Sequence, residues 1–318
     1  MATIPGGLFD PGTSASETAA TESNLISSFL DSLGLVETQI TSVTTSTATG
    51  VTNTITDAVS TTSIVSGETA SISLGGTTGE GQTLIISGSG NANVVGGGGG
   101  DEVLGGAGSD SIDGGLGDDS VTGGVGEDQV FGGAGNDVVN GGLGNDFLDG
   151  GVGDDTLVST AGSDTFNGGV GSDVVSAGQD TDLLYGNQNS DILYGNQQND
   201  VLYGGQGADV LYGGQNEDTM FGNRGDDTLF GNKGGDTFVF TSDGGADVIQ
   251  DFVGGTDFIQ IASGINGLNV ATTADLTSLI ASDASGNAVI TLGSQTITIT
   301  GLSSTDLLAN IDNFIQII

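Results

Sequence analysis

The sequence predicts an all-β protein, a solenoid of stacked nonapeptides with capping segments and short helices at the termini. Three observations carry that expectation. A nine-residue unit recurs sixteen times without insertion over residues 96–239. Its sixth position is Asp and its eighth is apolar in every copy. Gly supplies 61 of the 318 residues against only 2 Pro, a composition suited to repeated tight turns rather than to long helices.

The units "GGAGSDSID", "GGLGDDSVT", "GGVGEDQVF" and "GGAGNDVVN" fill residues 105–140. Gly at positions 1, 2 and 4 lets the chain enter left-handed dihedrals, as a tight turn requires. The last three residues read as a very short strand with position 8 pointing inward and its neighbours outward. One such unit cannot bury its apolar face alone, so it must stack on copies of itself. Successive copies are expected on opposite sides, two nonapeptides to a coil.

Lys and Arg number 2 against 41 acids, a net charge of −39. Such a chain does not bind nucleic acid or an anionic lipid surface, because phosphate must be neutralised by basic groups. Its natural partners are cations. With no Cys there is no disulfide and no thiolate site. With no His there is no Ser-His-Asp triad and no His-based zinc motif. Arg224 and Lys233, the basic residues, lie inside the repeats. Catalysis is therefore not expected.

Position 6 supplies the candidate metal ligands: Asp101, Asp110, Asp119, Asp128, Asp137, Asp146, Asp155, Asp164, Asp173, Asp182, Asp191, Asp200, Asp209, Asp218, Asp227 and Asp236. Stacking places them in two columns, with neighbours about 5 Å apart. Each adjacent pair repels by roughly 1 to 3 kcal/mol at an effective dielectric between 20 and 80. Summed over both columns this reaches tens of kcal/mol, beyond the roughly 5 to 15 kcal/mol of ordinary domain stability. Divalent cations between neighbouring turns reverse the sign of that term. Carboxylates completed by backbone carbonyls make an all-oxygen shell, which suits Ca²⁺ better than Zn²⁺, copper or Mg²⁺. Up to about 14 ions fit the gaps of two eight-rung columns, and binding then becomes part of folding.

The pattern Gly-Gly-x-Gly-x-Asp-x-apolar-x resembles the RTX (repeats-in-toxin) nonapeptide of secreted haemolysin-type calcium-binding proteins. The resemblance implies a parallel β-roll with calcium between its turns, export by type I secretion machinery, and folding outside the cell. It also implies that the C-terminal end holds an uncleaved secretion signal. The start, "MATIPGGLFDPG", has neither the basic nor the apolar region of a Sec-type signal. Nor is there an apolar run long enough for a transmembrane helix.

Some repeats depart from the pattern. Ser159 and Thr160 replace the first two Gly of the eighth. Asp180, Asn189, Gln198 and Asn216 replace the fourth-position Gly elsewhere. Asn tolerates left-handed dihedrals better than Gln, so the first seven repeats should bind most regularly and the sites using Thr160 and Gln198 least well. Position 9 carries Tyr185, Tyr194, Tyr203, Tyr212, Phe221 and Phe230 in consecutive repeats. Alternation divides them into two outward ladders, which either stiffen neighbouring strands or offer a contact for another copy or a glycan.

The expected organisation has three parts. Residues 1–77 hold a helix over 24–34, with Leu25, Ile26, Phe29, Leu30 and Leu33 on one face, then a Thr/Ser-rich segment without decisive periodicity. Residues 78–239 are the roll, opened by two Asp-less capping repeats that keep Ile85 and Val94 at the apolar position. Residues 240–318 form a C-terminal cap. There Asp247, Asp251 and Asp257 lie among apolar residues, 287–300 alternates as a hairpin around Gly293-Ser294, and 304–318 reads as a short helix with an apolar tail.

The function expected is an extracellular calcium-binding structural protein that self-assembles as a homo-oligomer or polymer on a cell surface or in a matrix. A secreted effector acting on host cells or membranes, and a glycan- or ice-binding surface, are the alternative readings.

Overall fold

The structure, a computed structural model, describes residues 42–46, 52–55, 59–64, 69–74 and 81–318. The helix expected over 24–34 lies outside the described residues. Where the chain is described, it is a parallel β-solenoid whose two sheets face each other across a thin apolar core.

Each repeat makes one strand, and consecutive strands alternate between the sheets. Neighbours within a sheet are parallel and 18 residues apart, as in the pairs Gln129↔Phe147 and Val130↔Leu148. Two nonapeptides thus complete one coil. The strands are longer than the three residues expected. Ser111–Leu116 runs from position 7 of one repeat through position 3 of the next, with Ile112 and Gly114 buried and Leu116 exposed. The first two Gly extend the strand because a ladder is built by backbone groups and does not need a side chain. Position 2 bends it with a left-handed dihedral, φ +103° at Gly115, and position 4 turns the chain, φ +118° at Gly117.

All sixteen position-8 side chains, from Val103 to Phe238, are completely buried. Two rows meet between the sheets, and each Leu or Val contributes about 1.5–3 kcal/mol by leaving water. The core is only as wide as these two rows. Its stability therefore grows coil by coil, as in other solenoids.

The outward aromatic residues fall into the two expected ladders. Tyr185, Tyr203 and Phe221 stack in one sheet with ring centres 5.0 and 4.5 Å apart. Tyr194, Tyr212 and Phe230 stack in the other at 4.8 and 4.6 Å. The rings cover one another's faces and leave mainly edges outward.

The sheets do not begin at residue 78. Ser42–Ser46 and Val59–Ile64 pair in parallel and lead onto Thr83–Gly88, while Thr52–Ile55 and Thr69–Leu74 lead onto Asn91–Val95. Val94 is buried as expected, but Ile85 is 39% exposed while Leu84 and Ile86 face the core. Leu84 pairs with Val103, 19 residues on. That extra residue in the coil moves Ile85 to the outer face, because side chains alternate with period 2.

At the other end Ala246–Ile249 and Phe258–Ile261 extend the two sheets. The hairpin of Ala288–Leu292 and Gln295–Ile299 turns at residues 293–294 and joins the first sheet through Ala246–Ile249. Two short helices, Ser304–Ala309 and Ile311–Phe314, precede a last strand, Ile315–Ile317, on the second sheet. Ser303 caps the first of these helices, accepting from the Asp306 N–H.

Candidate metal centre

The turn is where the sequence places its chemistry. The sixteen position-6 Asp residues leave the core at the end of each turn and are 1–3% exposed. Their carboxylates fold back over the turn, which explains why position 1 is Gly in fourteen of the sixteen repeats, Ser159 and Ala177 being the exceptions. A Cβ on Gly114 would lie 2.7 Å from Asp119 Oδ2 and 2.5 Å from the Gly132 carbonyl oxygen. Gly150 is equally hemmed in, by Asp155 Oδ2 and the Gly168 carbonyl, each 2.6 Å away. The same convergence of a carboxylate oxygen and a main-chain oxygen of the next coil recurs over the bare α-carbons of Gly105, Gly132, Gly168, Gly186, Gly195 and Gly204.

The two oxygens of each carboxylate have separate fates. Oδ1 accepts the backbone N–H of the position-6 Asp one coil back: Asp101 donates to Asp119 at 2.6 Å, Asp110 to Asp128 at 2.8 Å, and Asp137 to Asp155 at 2.7 Å. The series runs unbroken down both columns and sews coil to coil. Oδ2 is buried with no donor in fourteen residues, Asp110 to Asp227 taken every nine. Orphaned buried oxygens of this kind are rare in folded proteins, and leaving one costs about 1–3 kcal/mol or more for a charged group.

The electrostatics follow from this burial. Desolvation pushes Asp119, Asp128, Asp155 and Asp218 up to about 7, and Asp191 and Asp200 up to about 8, against the single backbone hydrogen bond that each accepts. Carboxylates one coil away add to the rise, as Asp137 and Asp101 do at Asp119. Each of these carboxylates favours either a proton or a cation over a bare charge.

The residues fit a hard cation. Every donor at the turn is oxygen, the buried Oδ2 atoms lack a partner, and main-chain oxygens stand beside them. No three acidic side chains converge on one point among the described residues. A bound ion would therefore draw carboxylates singly and complete its shell from the main chain, as oxygen-rich calcium sites do.

Two features of the site escaped the sequence reading. Asp247 and Asp257 belong to the columns: Asp247 Oδ1 accepts from Asp227 N–H and Asp257 Oδ1 from Asp236 N–H, each at 3.1 Å. Their spacing of 20 and 21 residues, instead of 18, hid them. A second ladder uses position 5. Asn136 N–H donates to Asp118 Oδ1 at 2.8 Å, Asp154 N–H to Asn136 Oδ1 at 2.9 Å, and Ser172 N–H to Asp154 Oδ1 at 2.8 Å. It points the opposite way along the roll. The abundance of Asp, Asn and Ser at position 5 was its signal in the sequence.

The irregular repeats keep the turn. Asp180, Asn189, Gln198 and Asn216 take φ between 74° and 83° in place of Gly. At Ser159 and Thr160 the strand stops early, at Thr156–Val158.

Paired parallel sheets wound two repeats to a coil, with two columns of buried carboxylates along their turns, define a β-roll. A family model described as RTX calcium-binding nonapeptide repeat (4 copies) matches residues 86–121, 113–148, 122–157, 149–184, 185–220 and 212–249. These spans cover more than half of the chain, which belongs to the RTX calcium-binding repeat family. No curated protein matches the chain. RTX nonapeptide repeats bind calcium, and their roll is typically a structural or binding fold.

Proposed function

We propose that the position-6 Asp residues are the calcium ligands of this protein, and that calcium switches the roll from an unfolded polyanion to a rigid rod. The observation that carries this reading is the set of fourteen buried Oδ2 atoms without a donor. Asp101, whose Oδ2 accepts the Gly97 N–H at 3.2 Å, and Asp236 lie in the same columns outside that set and are the weaker members of the assignment. No catalytic role is assigned to any residue. Proteins of this family are typically secreted, and a chain of charge −39 that needs metal to fold suits the millimolar calcium outside cells. Type I secretion, with the C-terminal segment as its signal, is the route this reading assigns.

The rod is further read as a self-assembling component of a cell surface or matrix. Support comes from apolar residues held outward at position 3. Leu116 is 63% and Val152 56% exposed, and both flank Ala134 in one continuous column. Val125 and Leu143 form the corresponding column on the other sheet. Exposed apolar rows of this kind mark interaction surfaces. The aromatic ladders carry less of the argument, because their faces are already spent on each other.

Calcium titration of the chelated full chain, followed by circular dichroism, light scattering and electron microscopy, tests both parts. The expected result is a gain of β signal together with growth in particle size. β signal without growth would remove self-assembly and keep the metal reading. β structure of full amplitude in excess chelator at neutral pH would remove both.

A further inference from the structure

The carboxylate columns do not end as they run. From Asp110 to Asp227 Oδ2 is an orphan, but at the ends the protein supplies a donor: Gly97 N–H to Asp101 Oδ2 at 3.2 Å at the N-terminal end, and others at the C-terminal rungs. Val253 N–H reaches Asp257 Oδ2 at 2.7 Å, closing the second column with main chain. The first column is closed by a side chain: Gln295 Nε2 donates to Asp247 Oδ2 at 3.3 Å, from 48 residues away in sequence. Gln295 opens the strand Gln295–Ile299, which pairs directly with Ala246–Ile249, and it is only 1% exposed.

Its amide is fixed from behind. Asn266 Nδ2 donates to Gln295 Oε1 at 3.1 Å and to the Leu292 carbonyl at 2.8 Å. Asn266 is itself held by Ser242, whose Oγ accepts its N–H at 3.0 Å, and it accepts the Asp243 N–H at 2.9 Å. With Oε1 engaged as an acceptor, the Gln295 amide cannot flip, so its NH₂ must face the carboxylate. A Gln buried to this degree, oriented by a second amide and aimed at the last rung of the column, is a positioned donor.

We propose that Gln295 takes the place of the terminal cation. A buried carboxylate oxygen can be satisfied by a metal ion or by an N–H group. At Asp247 the second solution is built in, so this rung binds no calcium and the first column holds no ion beyond Asp227. The inference rests on the reading of the Asp columns as calcium ligands and adds the point at which the array stops. It also makes Asp247 a rung that a chelator cannot strip.

The test uses the full chain, with bound calcium counted by native mass spectrometry and amide exchange followed by mass spectrometry. Gln295→Glu sets a second carboxylate against Asp247 and is expected to bind one calcium more than the unsubstituted chain. Gln295→Met, of similar volume but without the donor, should exchange the Asp227 amide, which donates to Asp247, at least about tenfold faster in excess calcium, the effect of losing roughly 1.4 kcal/mol locally. An unchanged ion count in folded Gln295→Glu would overturn the proposal, and so would Asp227 exchange in Gln295→Met within twofold of the unsubstituted chain. An unsubstituted chain that takes up no calcium would overturn the reading beneath it instead.

Discussion

A single Asp does two jobs in this roll, and substitutions can separate them. Asp155 accepts the Asp137 N–H through Oδ1 and leaves Oδ2 without a donor. Asp155→Asn keeps the acceptor for that N–H and removes the charge. Asp155→Ala removes both and strands a buried N–H, at a further cost of about 1–3 kcal/mol. Both variants should lose calcium affinity, with Ala also melting lower than Asn in calcium; equal melting would deny Oδ1 a structural role. The raised pKa values fix a pH dependence for the metal-free chain. Folded Asp191 and Asp200 titrate at about 8 and Asp119 at about 7, against the ordinary value of 3.8. Between those limits the folded chain binds more protons than the unfolded one, so its stability falls as pH rises. In chelator, β structure should be greatest near pH 4 and lost progressively toward pH 8, as circular dichroism would report. A chelated chain that gained structure on the way from pH 4 to pH 8 would contradict the burial argument.

The turn is the element on which the fold economises. Position 1 is bare in all but two repeats, Ser159 and Ala177 excepted, because the carboxylate lies over it, whereas positions 2 and 4 need a left-handed backbone. These are different demands, and substitution answers them differently. Asn stands at position 2 in residues 187, 196, 223 and 232, all with φ from 64° to 80°. Its amide also donates to the carbonyl two residues back, as Asn196 does to Tyr194 at 3.3 Å. Gln198 holds φ 75°, and its side chain makes no hydrogen bond among the described residues. Left-handed backbone costs an ordinary residue roughly 1–2 kcal/mol, so Gln198→Gly should stabilise the calcium-loaded roll by about 1 kcal/mol in thermal unfolding. No gain, or a loss, would show that the strain is already relieved.

Across the whole molecule, two opposing distributions set behaviour. Carboxylates give a net charge of −39, which keeps metal-free chains apart and extended. Under the proposed function, calcium would cancel much of that charge and order the coils, bringing the position-3 apolar columns into line. Association should then require the metal twice, for neutralisation and for the surface. Leu116→Ser combined with Val152→Ser is expected to leave calcium-induced β signal within experimental error while reducing particle growth several-fold in light scattering. Growth equal to that of the unsubstituted chain would move the contact elsewhere on the rod.

Periodicity alone determined the coil of two nonapeptides, the sixteen inward apolar residues, the columns of Asp and the division of the aromatic residues into two ladders. It could do so because every copy meets the same neighbours at a fixed distance of 18 residues, so local pattern and long-range contact carry the same information. Wherever that distance changes, the pattern falls silent. The 19-residue coil that turns Ile85 outward, the 20- and 21-residue steps that bring Asp247 and Asp257 into the columns, and the placing of Gln295 against Asp247 were decided by packing. So was the split between a stapled and an orphaned oxygen on each carboxylate, since residue type does not say which way a side chain folds once its coil is stacked.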